Sequence, residues 1–308
     1  YEILSGPRGL GDVYKRQVLA AVLLSAAFTA SHAQSEGTLA KVKATKTITI
    51  GNRDTSLPFS YKVGDGKDPI GFTNDICLKI VDAVKQKLGL DDIAVRYTTL
   101  TSTNRIPLIQ NGTADLDCAT TTNTLARAEQ VDFAPSHFVA TITVATRKDS
   151  GIRSLADLGN KTVATVAGST SIQLLRNYRR NENVEVREIS GKDPSEAFLL
   201  MSSGRADAYV LDDVQLASMI ATSGQADAFV MLKESLREEP YGIMFRKNDP
   251  EFKALVDETV TGLMTSGEIA RIYSRWFTSP VPPMGVNLGF PMTDAVKAIY
   301  AQPNNKGI

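Results

Sequence analysis

Three short stretches of this chain share one chemistry. Residues 99–105 (TLTSTNR), 120–127 (TTTNTLAR) and 168–171 (GSTS) each place hydroxyl residues between the end of a predicted strand and the start of a predicted helix. Helix N-termini offer unpaired N–H groups and a partial positive charge, which suits a carboxylate. Ser and Thr hydroxyls add donors in little space. Any one cluster reads equally well as a set of plain N-caps. Two of the three also carry an arginine, Arg105 and Arg127, in the first helical turn. A cation there opposes the helix dipole and costs roughly a few tenths of a kcal/mol. An arriving anion accounts for that placement, and so does a salt bridge to a neighbouring Asp or Glu.

The elements that must position these clusters alternate along the chain. Residues 47–51 (TITIG) read as a strand, and 75–88 carry Ile76, Ile80, Val81, Val84 and Leu88 at helical spacing. A strand at 93–97, a helix at 106–110 and a strand at 114–119 come next. A second series runs strand 162–166, helix 171–178, strand 184–189, helix 194–203 and strand 206–211. This rhythm predicts an α/β fold in which each lobe is a mostly parallel sheet flanked by helices. The run LIQNGTADL (108–116) lines up with LMSSGRADA (200–208) at the same point of the two series, which suggests two lobes of related build. The C-terminal part reads as helices at 251–265, 267–276 and 293–300, with a turn at Pro280, Pro282 and Pro283. If that tail packs on the first lobe, the chain crosses between lobes near 140–147 and 235–242, a natural hinge. The expected division is 34–142 with 239–308 as lobe one and 143–238 as lobe two.

Composition narrows the function classes. Of 308 residues, 43% are hydrophobic and 22% charged, as in a soluble globular protein. Acids and bases balance at 34 each, so no bulk field draws the chain to nucleic acid or an anionic membrane. Only two histidines are present, which argues against a histidine-rich metal site and against a Ser-His-Asp relay. No metal or cofactor is expected. The apolar run 18–30 follows Lys15 and Arg16, and its length fits a signal peptide. Cleavage is expected after Ala33; a buried N-terminal helix is the other reading. Residues 1–12 carry no clear pattern and are expected to be non-native, so 1–33 stand outside the fold. Export would let the two cysteines, Cys77 and Cys118, form a disulfide, with two buried free thiols as the alternative.

The segments GNRDTSLPFSY, GFTNDICLKIVDAV, TSTNRIPLIQNGTADLDC and TTTNTLARAEQVDFAPS make the first half of the chain resemble the extracellular solute-binding proteins of family 3. The later VAGSTSIQLL, ISGKDPSEAF, SSGRADAYVLDD, YGIMFRKNDPEFKALVD and WFTSPVPP agree, in the same order. Within that family the chain is most similar to the glutamate/aspartate-binding proteins of bacterial ABC importers. The resemblance implies a two-lobed type II periplasmic-binding-protein fold with two hinge crossovers. It further implies a periplasmic monomer that captures glutamate or aspartate and delivers it to membrane permease subunits. On the same footing, Arg127 with Thr120 and Thr122 would bind the ligand α-carboxylate. Gly168, Ser169 and Thr170 would add donors, and Asp212 would take the α-ammonium, with Asp213 beside it as a competitor for that role. Members that bind basic amino acids carry an acid where this chain has Arg53; with Ser102 and Arg105 it would meet the ligand side chain. Pro194 stands where acidic-amino-acid binders often have a histidine, which leaves the preference between glutamate and aspartate open. Two rivals remain: an enzyme resembling the cyclohexadienyl dehydratases, which would need a positioned acid and room for a ring, and a binder of another polar amino acid.

Overall fold

The structure is a computed structural model and describes residues 37–308. The apolar run 18–30, the cleavage point after Ala33 and the first residues of the expected lobe one lie outside the described residues. Two cores organise the described chain, each wrapped around its own sheet.

The first sheet is built from β1 (Thr47–Asn52), β4 (Ala94–Thr99), β5 (Leu116–Asp117), β6 (Asp132–Phe133) and β13 (Met244–Phe245), in the order β4-β1-β5-β13-β6. Between them in sequence lie the short hairpin β2 (Thr55–Ser56) and β3 (Ser60–Tyr61). Helix α1 (Thr38–Thr45) precedes β1, and α2 (Phe72–Leu88) covers the sheet. The apolar spacing that predicts α2 is realised: Ile76, Ile80, Val81 and Val84 are all buried, and Gly89 in the left-handed region ends the helix. Two short helices, α3 (Arg105–Gln110) and α4 (Leu125–Ala128), complete this part of the chain.

The second sheet holds β7 (Phe138–Arg147), β8 (Thr162–Val166), β9 (Arg187–Gly191), β10 (Ala208–Asp212) and β11 (Phe229–Met231), ordered β11-β7-β10-β8-β9, with β12 (Arg237–Tyr241) also paired to β7. Its helices are α5 (Thr170–Glu182), α6 (Pro194–Ser202) and α7 (Asp213–Thr222). The chain then returns to the first core through α8 (Pro250–Thr265), α9 (Glu268–Phe277) and α10 (Asp294–Ala301), whose buried faces include Phe252, Trp276, Phe277 and Val296.

The sheets differ in one respect from the mostly parallel expectation. β4-β1-β5 and β9-β8-β10 are parallel, but β13 runs antiparallel to β5 and β6, and β7 antiparallel to β10, β11 and β12. Each sheet is therefore mixed. The parallel strands are those fed by intervening helices; the antiparallel ones belong to the segments that carry the chain from one core to the other.

Those crossings are β7 and β12. Along β7 the side chains pass from one core to the other: Phe138 and Ala140 pack in the first, Ile142 and Val144 in the second. On the return, Leu236 packs against the second core and Tyr241 in the first. The two crossings pair with each other from Ile142↔Arg237 to Phe138↔Tyr241.

The internal sequence repeat has a structural cause. Gly112 and Gly204 both adopt positive φ, +76° and +80°, as the chain turns from helix to strand. Asp115 then exchanges two hydrogen bonds with Thr49 on β1: its N–H donates to the Thr49 carbonyl at 2.8 Å, and its carboxylate accepts from the Thr49 N–H at 2.8 Å. Asp207 does the same with Thr162 on β8, at 2.7 and 2.8 Å. The Ala-Asp pair is thus a clamp that docks each αβ unit onto the neighbouring strand of its sheet.

Cys77 on α2 and Cys118 after β5 form a disulfide with Cα atoms 6.2 Å apart. It spans 41 positions, for which loop entropy alone gives roughly 4 kcal/mol. The bridge anchors the end of β5, from which the hydroxyl run at 120–122 emerges.

Candidate functional site

A cavity of about 280 Å³ opens between the two sheets, at the carboxyl ends of their parallel strands. β1 ends into Arg53, β4 into Ser102, and β5 into Thr120 and Thr122; β8 ends into Ser169 and Thr170, and β10 into Asp212. Arg53, Ser102, Arg105, Thr120, Thr122, Arg127, Ser169, Thr170 and Asp212 all line this space, whereas Gly168, also expected to add a donor, does not.

The arginines are held without direct ion pairs, although Asp117 lies near enough to favour the charge of all three. Arg53 is 6% exposed and Arg105 3% exposed. Arg53 donates from Nη1 to the Leu100 carbonyl at 3.1 Å, while its Nε and Nη2 have no partner. Arg105 opens α3 and donates to Thr121 Oγ1 at 3.0 Å; its Nε is unpartnered. Arg127 sits in α4, where Thr124 caps its N–H, and donates to the Thr122 carbonyl at 2.9 Å. Among the described residues none of the three forms an ion pair with a carboxylate. The salt-bridge explanation for Arg105 and Arg127 therefore falls. Burial, and then the charge of Arg105, lower the Arg53 guanidinium to about 10 and Arg127 to about 9. Burial likewise lowers Arg105. These cations lie close enough for the charge of Arg105 to weigh on the other two.

Capping accounts for part of two clusters: Thr124 caps α4, and ahead of α3 the Asn104 N–H donates to Thr101 Oγ1 at 3.2 Å while the Thr101 N–H donates to Asn104 Oδ1 at 2.7 Å. It does not account for the third, where Ser169 makes no side-chain cap and its Oγ has no partner.

The acids divide into engaged and waiting groups. Asp54 pairs with Lys62 at 3.2 Å, and Asp193 caps α6 through the Glu196 N–H at 2.9 Å. Asp213 points away from the cavity and accepts the N–H groups of Thr141 and Val214 at 3.1 and 2.7 Å, which separates it from its neighbour. Asp212 accepts from Gln215 Nε2 at 2.7 Å, lies beside the buried Tyr241 hydroxyl, and pairs with no cation among the described residues. Burial, and then the Glu239 charge, push its carboxyl up to about 7. Pro194, at the start of α6, also lines the cavity, as does the exposed Lys192.

Two further buried acids stand outside the sequence expectations. Asp117 accepts from Thr121 Oγ1 at 2.5 Å, so that Arg105, Thr121 and Asp117 form a chain behind the cavity wall. An acid between Leu116 and Cys118 in a buried strand is a readable signal. Glu239 on β12 accepts from Thr122 Oγ1 at 2.7 Å and Thr170 Oγ1 at 2.6 Å. Nothing in REEPYG announces it.

The two sides of the cavity touch. Arg127 Nη2 donates to the Gly168 carbonyl at 3.5 Å, and a Cβ added at Gly168 would lie 2.8 Å from the Ser102 carbonyl carbon and oxygen.

Residues 48–279 match the sequence model of the bacterial extracellular solute-binding proteins, family 3. The chain belongs to that family. This family 3 solute-binding protein is 42% identical over 288 residues to the L-glutamate/L-aspartate-binding protein of Pseudomonas aeruginosa, covering 94% of this chain and 95% of that protein. It is 37% identical over 296 residues to the glutamate/aspartate import solute-binding protein of Escherichia coli (strain K12), covering 94% and 98%. Among solved structures, an ancestral arginine-binding protein bound to arginine matches at a TM-score of 0.66 and 31% identity, over 75% of this chain and 98% of that one. The ancestral amino acid-binding protein AncCDT-1, a precursor of cyclohexadienyl dehydratase, matches at 0.66 and 27%, over 78% and 99%. The fold is the two-lobed type II architecture of periplasmic amino-acid-binding proteins.

Proposed function

We propose that this solute-binding protein captures glutamate or aspartate in the interlobe cavity and delivers it to the membrane subunits of an ABC importer. The observation that carries this reading is the charge balance of the cavity: three buried or half-buried arginines without carboxylate partners face one acid without a cationic partner, Asp212. A ligand with two carboxylates and one ammonium fills that deficit. Arg127 would hold the α-carboxylate, Arg53 and Arg105 the side-chain carboxylate with Ser102, and Asp212 the α-ammonium. Arginine's planar fork suits carboxylates because it donates two parallel bonds. The names of the full-length relatives support the same ligand class. The protein acts as a binder and not an enzyme, exported to the periplasm and working there as a monomer on lobes 34–142 with 239–308 and 143–238.

Calorimetric titration tests the ligand class. Glutamate and aspartate are expected to bind with micromolar or tighter affinity, about −8 kcal/mol or more favourable. Glutamine and asparagine are expected at least about a hundredfold weaker, because each would leave a buried guanidinium pair underpaired. Tight binding of histidine or an amide, with neither acid bound, would reject the reading.

Capture by closure also makes Gly168 sensitive. Its φ of +77° disfavours any side chain, and a methyl there meets the Ser102 backbone across the cleft. Gly168→Ala is expected to weaken glutamate binding by about tenfold or more, about 1.4 kcal/mol, because the methyl must clear the Ser102 backbone when the lobes close. An unchanged dissociation constant would show that the lobes need not approach this closely.

A further inference from the structure

Glu239 lies on the second crossing, is fully buried, and is absent from the cavity wall. Its Oε1 is paired with Arg237, and its Oε2 accepts from two hydroxyls at once. Thr122 comes from the loop after β5 on one side of the cleft, and Thr170 from the start of α5 on the other. Both line the cavity. An ionised carboxylate can only accept, and a threonine hydroxyl has one proton. With both protons committed to Glu239, the two oxygens have only lone pairs left for whatever occupies the cavity. The donor role expected of these hydroxyls is therefore reversed.

We infer that Glu239 is a positioning residue that turns Thr122 and Thr170 into acceptors for the ligand's ammonium, and so makes an amino group a condition of binding. This rests on the amino-acid-binding reading above. Thr122 Oγ1 and Thr170 Oγ1 meet at one Glu239 oxygen, and the Asp212 carboxylate, which lines the same cavity, is near enough to feel the Glu239 charge. That Asp212 is pushed up, by burial first and Glu239 next, fits a corner that lacks a cation. Arg237, paired with Glu239 Oε1, does not line the cavity, and Arg105 and Arg127 turn N–H groups to Thr121 and to the Thr122 and Gly168 carbonyls. A dicarboxylate without an amine, such as glutarate, would satisfy the arginines yet leave this corner as desolvated acceptors with no donor. A site built around a ligand N–H rejects the analogue that lacks it far more strongly than an apolar site rejects a missing methylene.

The test is Glu239→Gln, titrated with glutamate and with glutarate. Glutamine keeps the shape but brings its own N–H groups, so one threonine is freed to donate into the cavity. Glutamate affinity should fall at least about tenfold, glutarate affinity should hold or improve, and the ratio between them should shrink by at least about tenfold. Thr170→Val, which leaves the Arg237 pair intact, should shrink the same ratio and keeps the test open if Glu239→Gln does not fold. An equal loss for both ligands would overturn the inference, since it would mean that Glu239 merely holds the lobes together. An unchanged ratio would overturn it as well. A wild-type protein that binds no α-amino acid would overturn both this inference and the proposed function; a wild type that binds glutamate beside an unshifted ratio overturns this one alone.

Discussion

Arg53→Met is expected to weaken glutamate binding by about a thousandfold while leaving the ligand-free protein as stable as its parent or more so. In the ligand-free state Arg53 is nearly fully buried, donates one hydrogen bond, and leaves Nε and Nη2 unpaired beside the charge of Arg105. Desolvating a cation without a counter-ion costs several kcal/mol, so an apolar side chain of similar length relieves the fold of that cost. In the complex the same guanidinium meets a ligand carboxylate, and truncating one side of a buried charged pair costs about 2–5 kcal/mol. Binding and stability should thus move in opposite directions. Titration calorimetry and thermal unfolding of the same preparation check it. A variant that loses more than about 2 kcal/mol of stability yet still binds glutamate would make Arg53 a structural residue.

Affinity for glutamate is expected to depend on pH through Asp212. Its carboxyl is pushed from near 3.8 up to about 7 in the ligand-free protein. The ammonium needs the carboxylate, so binding below about pH 7 must first expel a proton. The dissociation constant should then rise about tenfold per pH unit, or on the order of fiftyfold between pH 7 and pH 5, and stay flat just above 7. Stability of the ligand-free protein runs the other way. Folding favours the neutral form of a raised carboxyl, so this group's contribution is fully present below the unfolded value near 4 and is lost as pH rises through about 7. Mild acid should therefore loosen the ligand while Asp212 adds stability. Asp212→Asn should bind more weakly at pH 7 and with little pH dependence. A wild-type profile that is level from pH 5 to 8 would show that Asp212 is not the ammonium partner.

Much of this site is legible in the sequence because its residues obey local rules. Arg53, Ser102, Thr120, Ser169 and Asp212 each come after a predicted strand, and in α/β sheets that is where ligands gather. The arginines of α3 and α4 stand out because helix electrostatics disfavours them there. The illegible part depends on residues far apart in the chain. Glu239 meets Thr170 across 69 positions and Thr122 across 117, and its burial follows from the pairing of β12 with β7. Asp212 and Asp213 are indistinguishable in sequence; the N–H groups of Val214 and of Thr141, the latter presented by the first crossing, commit Asp213 to structure. The antiparallel strands escape the sequence for a related reason. The helix–strand rhythm reports on consecutive units, and β7, β12 and β13 return without a helix of their own.

The mutual pairing of the crossings has a mechanical consequence. Had they been two separate strings, either half of the molecule could slide, tilt or swivel past the other. Hydrogen bonded from Ile142↔Arg237 to Phe138↔Tyr241, they form a ribbon, which flexes across its thin dimension and resists shear in its plane. Bending of that ribbon is the motion such pairing leaves for opening, and it is expected to separate Thr122 from Thr170 about Glu239, which the ribbon carries.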